Sequence, residues 1–328
     1  MATSTQALRG SVLGITPLDE QFLRAALDAS ERREDPSSQL ASDDAIRSSF
    51  LNAWDVLRAE LHLDLTATQA LTRVHDLVVY DIPDGTRSTL SVSPEVPIEQ
   101  DAALYATQLV HTLRALGARR GVIMVHTAYN RRRGPEETAR FLRMIERGAL
   151  TMIAYSRERG VQLDIVGMGR SYELYQPLRA SVPAIPSPAF FAHLLLDYSE
   201  ESFLTAAGRR ALDRLPDIDV CIRHTKLQIT GGWIPRRMLR STYLYSQNGT
   251  LGSNWRYDEH AAQVAIALLS KELLSGEVLT KAYRGIDEVK RRHQLREVGL
   301  QRQRVTLRPR SRKLFLLSSP YGLVEVLA

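Results

Sequence analysis

The sequence predicts an α/β protein, a mostly parallel central sheet flanked by helices and preceded by a helical N-terminal extension. Three observations predict it. From Leu77 onward, short apolar runs alternate with long stretches carrying apolar residues at helical spacing. Strands that alternate with helices in this way pair in parallel and bury both sheet faces under the helices. The amphipathic stretches are bounded by turn and capping residues, such as Gly117 after the Leu109–Leu116 stretch and Pro135 before the next.

Taken in order, residues 1–15 are small and polar and read as a loose terminus, and 32–44 hold the charge, Pro and Ser of a linker. Beyond Ser42, the residues Ile46, Phe50, Leu51, Trp54 and Leu57 fall on one helical face, with Ser42 or Asp43 as N-cap. A further helix is expected from Thr66 to about Asp76, which gives a helical extension over 1–75 and a second unit over 76–328 ending in a basic tail. LVVYDI (77–82) reads as the first strand, and a helix through Ala106, Leu109, Val110, Leu113 and Leu116 leads to GVIMVH (121–126). A helix from Pro135 to Arg159, strands at 161–167 and 189–198, a polar helix over 200–213 and the strand DIDVCI (217–222) continue the alternation. No internal repeat is visible.

Composition bounds the function. The 328 residues are 44% hydrophobic and 24% charged with 19 Gly and 14 Pro, which excludes collagen-like, mucin-like and wholly disordered chains. Lys+Arg 43 against Asp+Glu 37 gives a net charge of +6, a balance suited to phosphorylated ligands, nucleic acid or an anionic surface. A lone cysteine, Cys221, allows neither an internal disulfide nor a cysteine zinc site, so a reducing cytoplasm is the expected compartment. No apolar run reaches the ~18 residues of a membrane span, and no signal-peptide pattern opens the chain.

In open parallel sheets ligands bind beyond the carboxyl ends of the strands, so the residues there are read as one group. They are Pro83-Asp84-Gly85-Thr86-Arg87-Ser88, then Thr127-Ala128-Tyr129-Asn130 with Arg131, Arg132 and Arg133, then Arg223-His224-Thr225-Lys226, then Gly231 to Arg237. A glycine turn exposes amides, arginines bind phosphate oxygens in pairs, and a neighbouring carboxylate holds a magnesium ion that shares the charge. Together they suit a diphosphate. Residue by residue, Asp-Gly is also an ordinary turn and arginines are also ordinary solvated surface.

The order and spacing of these segments resemble the cis-prenyltransferase (undecaprenyl diphosphate synthase) superfamily from about residue 77 to 275. VVYDIPDGTR is similar to the family's strand ending in Asp-Gly-Asn and Arg. Thr127, Asn130, Arg133, Gly134 and Glu137 stand where the family has Ser-x-x-Asn-x-x-Arg-Pro-x-x-Glu. LDIVGMGRSYEL and DVCIRH resemble two later motifs, and Gly231 to Arg237 resembles the segment that follows them. The departures are equally specific. Ile229 and Gly231 replace the Arg and Ser that bind isopentenyl diphosphate, and the family's metal-binding Glu falls on or near Thr242. Asp-Gly-Thr-Arg with a lost isopentenyl site is similar to the divergent actinobacterial branch typified by tuberculosinol/tuberculosinyl-adenosine synthase, although Ser88 stands where that branch has a second Arg.

The resemblance implies an enzyme that ionises an allylic or cyclic prenyl diphosphate and lets water or another small-molecule acceptor capture the cation, without isopentenyl elongation. It implies Mg2+ held by Asp84, and a diphosphate cradle of Gly85, Thr86, Arg87, Thr127 and Arg223. Asp84, Asn130 and Arg133 take the catalytic roles, and a homodimer is implied. The chemistry is consistent with those residue types, because stabilising charge on the leaving diphosphate is the main task of such a reaction. Tyr129, Met124, Phe141, Met144 and Trp233 are candidates for an apolar wall around the cation, or plain core. His126 and His224 are candidate general bases or structural histidines, and Asp81 is a second carboxylate available to a metal. The alternatives are a non-catalytic prenyltransferase-like subunit, disfavoured by Asp84, and a true cis-prenyltransferase. Nucleic-acid binding through NRRRG and the basic tail is not expected, since no nucleic-acid motif accompanies them.

Overall fold

The structure, a computed structural model, describes residues 40–61, 63–83, 98–128, 134–167, 176–224, 232–239, 241–246 and 257–274, with short strands at 305–306, 313–314 and 316–317. Helix α1 (Asp43–Leu61) forms where the spacing predicts it, and the Ser42 hydroxyl caps it by accepting the Ala45 amide at 3.2 Å. Its stripe of Ile46, Phe50, Trp54 and Leu57 is wholly buried, and the Trp54 indole N–H donates to the Leu65 carbonyl at 2.9 Å. Helix α2 (Ala67–Arg73) opens on a reciprocal capping box between Thr66 and Gln69.

The alternation then follows as read. Strand β1 (Val79–Pro83) leads through α3 (Ile98–Ala115) to β2 (Arg120–Met124), and α4 (Pro135–Arg159) leads to β3 (Val161–Gly167). Helix α4 has Pro135 in its first turn beside Glu136 and Glu137, where their charge meets the positive end of the helix dipole. It ends on Gly160 at φ 65°, a left-handed conformation glycine adopts without steric cost. Helix α5 (Gln176–Ser181), β4 (Phe190–Leu196), a 3₁₀ turn at Glu200–Leu204 and α6 (Ala206–Asp213) lead to β5 (Val220–His224). Then come β6 (Thr242–Ser246) and α7 (Tyr257–Leu274), with two-residue strands β7 (Val305–Thr306), β8 (Lys313–Leu314) and β9 (Leu316–Leu317).

Among the described residues the main sheet has seven strands in the order β3-β4-β2-β1-β5-β6-β9, parallel from β3 to β6, with β9 antiparallel at one edge. Right-handed crossovers assign the helices to the faces. Steps from β1 to β2 and from β2 to β3 run one way along the sheet and put α3 and α4 on one face. Steps from β3 to β4 and β4 to β5 run the other way, which puts α5 and α6 on the opposite face. Contacts agree with this assignment. A side chain at Gly121 would come within 2.7 Å of Leu113 on α3, whereas one at Gly232, beyond β5, would meet Ile82 and Met124, whose side chains point to the other face. Helix α7 joins α3 on the first face, over β5 and β6, and α1 packs against both. The buried stripe of α1 is therefore continuous with the core of the sheet.

Candidate functional site

The order of the strands sets the position of the site. The chain leaves β1 toward β2 on one side and later arrives at β5 on the other, so β1 and β5 flank the point where the winding reverses. Loops leave such a point in opposite directions and open a crevice at the carboxyl ends of the strands. Ile82 pairs with Arg223 and Pro83 with His224, so β1 and β5 end level with each other. On the other side of β1, Thr127 lies just beyond β2 and forms a parallel bridge with Tyr198 beyond β4. Pro83 and Arg223 thus lie in the last two positions of β1 and β5, and Thr127 just beyond β2.

Arg223 is 6% exposed, so its cation is buried rather than displayed to solvent. It shares a face with Tyr80 and Cys221, the face that meets the 232–239 turn. Burial pushes the Tyr80 hydroxyl and the Cys221 thiol up, and the Arg223 charge opposes that rise in both. Thr127 is half-buried. Asp84, Gly85, Thr86, Arg87, Asn130 and Arg133 lie outside the described residues, as do Ile229 and Gly231.

Three of the sequence candidates have other work. His126 Nδ1 accepts the amide of Asp197 at 3.2 Å, which removes that lone pair from general-base chemistry. Arg237 donates to the carbonyls of Leu212 and Asp213 at the end of α6 and to Asp217, while Arg236 lies 3.4 Å from Asp213. Both arginines close α6 instead of facing the strand ends. Trp233 is 39% exposed and its carbonyl accepts from Tyr198, whereas Met124 is buried core. Thr242 begins β6 opposite Val220, at the far end of the sheet from Pro83, and offers no carboxylate.

Sequence reading named Asp81 as a carboxylate available to a metal but missed its partner His260. Asp81 faces the α3–α7 side, fully buried, and its Oδ1 accepts from His224 Nε2 at 2.9 Å and from His260 Nε2 at 3.2 Å. Both imidazoles are fully buried as well, and Tyr105 of α3 meets the His224 ring edge-on at 5.9 Å. Burial pushes the Asp81 carboxyl up, but the charge of His260 and the bonds from both histidines outweigh it and hold it at about 2. Burial lowers His224, with the Asp81 contact opposing. The signal for Asp81 was present as a carboxylate inside an apolar strand. His260 sits alone in an apolar helix 179 residues away from Asp81, and nothing local links the two. A second missed residue is Asp197, buried at the end of β4 with φ 56°, a left-handed conformation uncommon outside glycine.

The donor set of the Asp81 group does not fit magnesium, which takes oxygen ligands; two of its three donors are imidazole nitrogens. The residue expected to hold magnesium, Asp84, is outside the described residues. No helix among the described residues is long and apolar enough to cross a membrane.

By its layering the chain is an α/β protein with a mostly parallel sheet whose winding reverses between β1 and β5. No family model matches the chain, and no curated protein matches it. Among solved structures it is similar to a probable undecaprenyl diphosphate synthase from Campylobacter jejuni, with 11% identity over 58% of this chain and 94% of that one and a TM-score of 0.43. It is also similar to lavandulyl diphosphate synthase from Lavandula x intermedia in complex with dimethylallyl diphosphate, with 14% identity over 65% of this chain and 98% of that one and a TM-score of 0.44.

Proposed function

We propose that this protein ionises an allylic or cyclic prenyl diphosphate, releasing inorganic diphosphate and leaving a carbocation that water or another acceptor captures or that loses a proton. The observation that carries the reading is the meeting of strand ends at the switch point: β1 runs directly into Asp84-Gly85-Thr86-Arg87, and the buried Arg223 stands on the adjacent strand. Thr127 and Asn130 follow the other neighbour of β1. The resemblance to the tuberculosinol/tuberculosinyl-adenosine synthase branch supports the same reading.

Allylic carbon–oxygen cleavage puts negative charge on the departing diphosphate, so the rate depends on donors aimed at those oxygens. Arg87, Arg133 and Arg223 supply charge-assisted hydrogen bonds, and the amides of Gly85 and Thr86 supply neutral ones. Arg223 acts from a site shielded from water, where its field is screened less than that of a surface arginine. Thr127 and Asn130 orient the headgroup. Asp84 would hold Mg2+, which, when bound, neutralises diphosphate charge. Replacement of the Arg and Ser of the isopentenyl site by Ile229 and Gly231 supports capture or deprotonation of the cation over chain growth.

The test is incubation of the full chain with magnesium and allylic diphosphates of increasing length, or a cyclised diterpenyl diphosphate, with mass spectrometry of the extracts. Release of diphosphate with a hydrocarbon, alcohol or prenylated acceptor is expected, and Asp84→Asn should lower the rate by at least ~10²-fold. Longer prenyl chains on addition of isopentenyl diphosphate would refute the reading of Ile229 and Gly231.

A further inference from the structure

We propose that Asp81, His224 and His260 form a structural zinc site that pins α7 to the centre of the sheet, separate from any magnesium ion at Asp84. The proposal is independent of the diphosphate reading. Two imidazole nitrogens and a carboxylate are a ligand set for zinc and its first-row neighbours. Their donor atoms all lie within 4.8 Å of one another, and among the described residues no other group of this kind occurs. Metal–ligand bonds of about 2.0–2.1 Å put neighbouring donors ~3–3.4 Å apart. The observed separations from Asp81 Oδ1, 2.9 Å to His224 and 3.2 Å to His260, already approach that spacing.

The second carboxylate oxygen strengthens the case. Asp81 Oδ2 is buried with no hydrogen-bond partner among the described residues, an expensive state for an ionised group inside a protein. Bidentate ligation would use it as the fourth donor and close the site, which suits a structural ion rather than a catalytic one with an open position. An ion would also compensate the buried carboxylate. Ligation needs both histidines to present Nε2 lone pairs, so each moves its remaining proton to Nδ1, and any imidazolium proton leaves to solvent. At His224 the Nδ1 atom has no hydrogen-bond partner among the described residues to lock the opposite tautomer.

The three ligands come from β1, β5 and α7, and all are fully buried, so the site exists only in the folded chain and loads as the chain folds. Sequence gives no spacing motif, because the ligands are 143 and 179 residues apart when counted from Asp81.

The test uses the full chain produced in zinc-supplemented medium and measured by inductively coupled plasma mass spectrometry, followed by unfolding and refolding with zinc, cobalt(II), magnesium or chelator. One zinc per chain is expected. Zinc should raise the unfolding midpoint over the chelator-refolded protein, magnesium should not, and cobalt should give visible absorption of a nitrogen-ligated ion. Asp81→Asn and His260→Ala should lose the metal, with circular dichroism reporting whether each folds. Because those variants could fail to fold, the wild-type comparison decides: folded protein with no zinc, no cobalt absorption and the same midpoint in zinc and chelator would overturn the proposal and leave a hydrogen-bonded trio. A midpoint raised by magnesium alone would overturn it equally.

Discussion

The face of the sheet that carries Gly121, Ile123, Val220 and Ile222 lies under α1, α3, α4 and α7, whereas the face carrying Gln162, Asp164, His193 and Arg223 meets two short helices and the 232–239 turn. On the first face, apart from the Asp81–His224–His260 group, buried polar side chains bond to one another and to backbone between the helices. His111 donates from Nε2 to the Ala41 carbonyl at 2.7 Å and takes the Tyr155 hydroxyl at Nδ1, while Arg114 pairs with Asp43. On the second, Arg120, Arg179, Arg214, Asp164 and His193 line a water-accessible hollow of about 440 Å³, with Asp164 bound to both His193 and Arg214. The difference follows from element length. Long helices cover the sheet with apolar stripes, and helices of six and eight residues cannot, so charged and amphipathic side chains complete the cover.

That contrast is breakable by mutation. The largest effect is expected from Trp54→Ala on the thick side, which leaves a cavity and strands the Leu65 carbonyl, costing about 3–5 kcal/mol in urea unfolding. On the thin side Phe191→Ala should cost less than about half as much, since Phe191 is only half-buried under Arg120. Equal losses would show that the two faces bear load alike.

Gly232→Ala comes next, at about 1–3 kcal/mol. Its φ of 89° disfavours any side chain, and a Cβ would lie 2.9 Å from both Ile82 and Met124. The Tyr80 hydroxyl donates to its carbonyl, so the change should also loosen the turn beside Arg223. A thermal midpoint unchanged in this variant would contradict the packing described.

A smaller effect is expected from pH. Burial lowers His111 from its ordinary 6.5, with Arg114 adding to the shift and the Ala41 carbonyl and Asp43 opposing it. The unfolded chain therefore takes up a proton before the folded one does. This contribution is complete above pH 6.5 and is lost as pH falls through the folded value. Unfolding free energy should decline as pH falls from 6.5 toward the folded value, and His111→Gln should flatten the decline; an identical slope in the variant would reassign the titration. The smallest effect, ~1 kcal/mol, is expected from Thr66→Ala, which removes one half of the α2 capping box and is read by the same urea titration.

Much of the architecture was legible from residue patterns. The helix at Pro135–Arg159 and the strand at Val161–Gly167 have the boundaries that Pro135, Gly160 and the change of period imply. Helix α7 was not legible, because residues 260–270 are buried all round and show no polar face from which a period could be read. Of the candidate residues, Thr127 and Arg223 were read as strand-end residues, and they lie just beyond β2 and within β5, on either side of β1, while Asp84 lies outside the described residues. Their chemistry follows from side-chain type, which is local information.

The order of elements, the glycines and caps that bound them, and the stock of phosphate-binding side chains are properties of the linear chain, because period, turn geometry and charge are each set within a few residues. Which strands became neighbours was settled by packing the whole sheet, and with it the meeting of Asp81, His224 and His260. Parallel pairing joins segments more than a hundred residues apart, and burial then decides which polar groups must find one another.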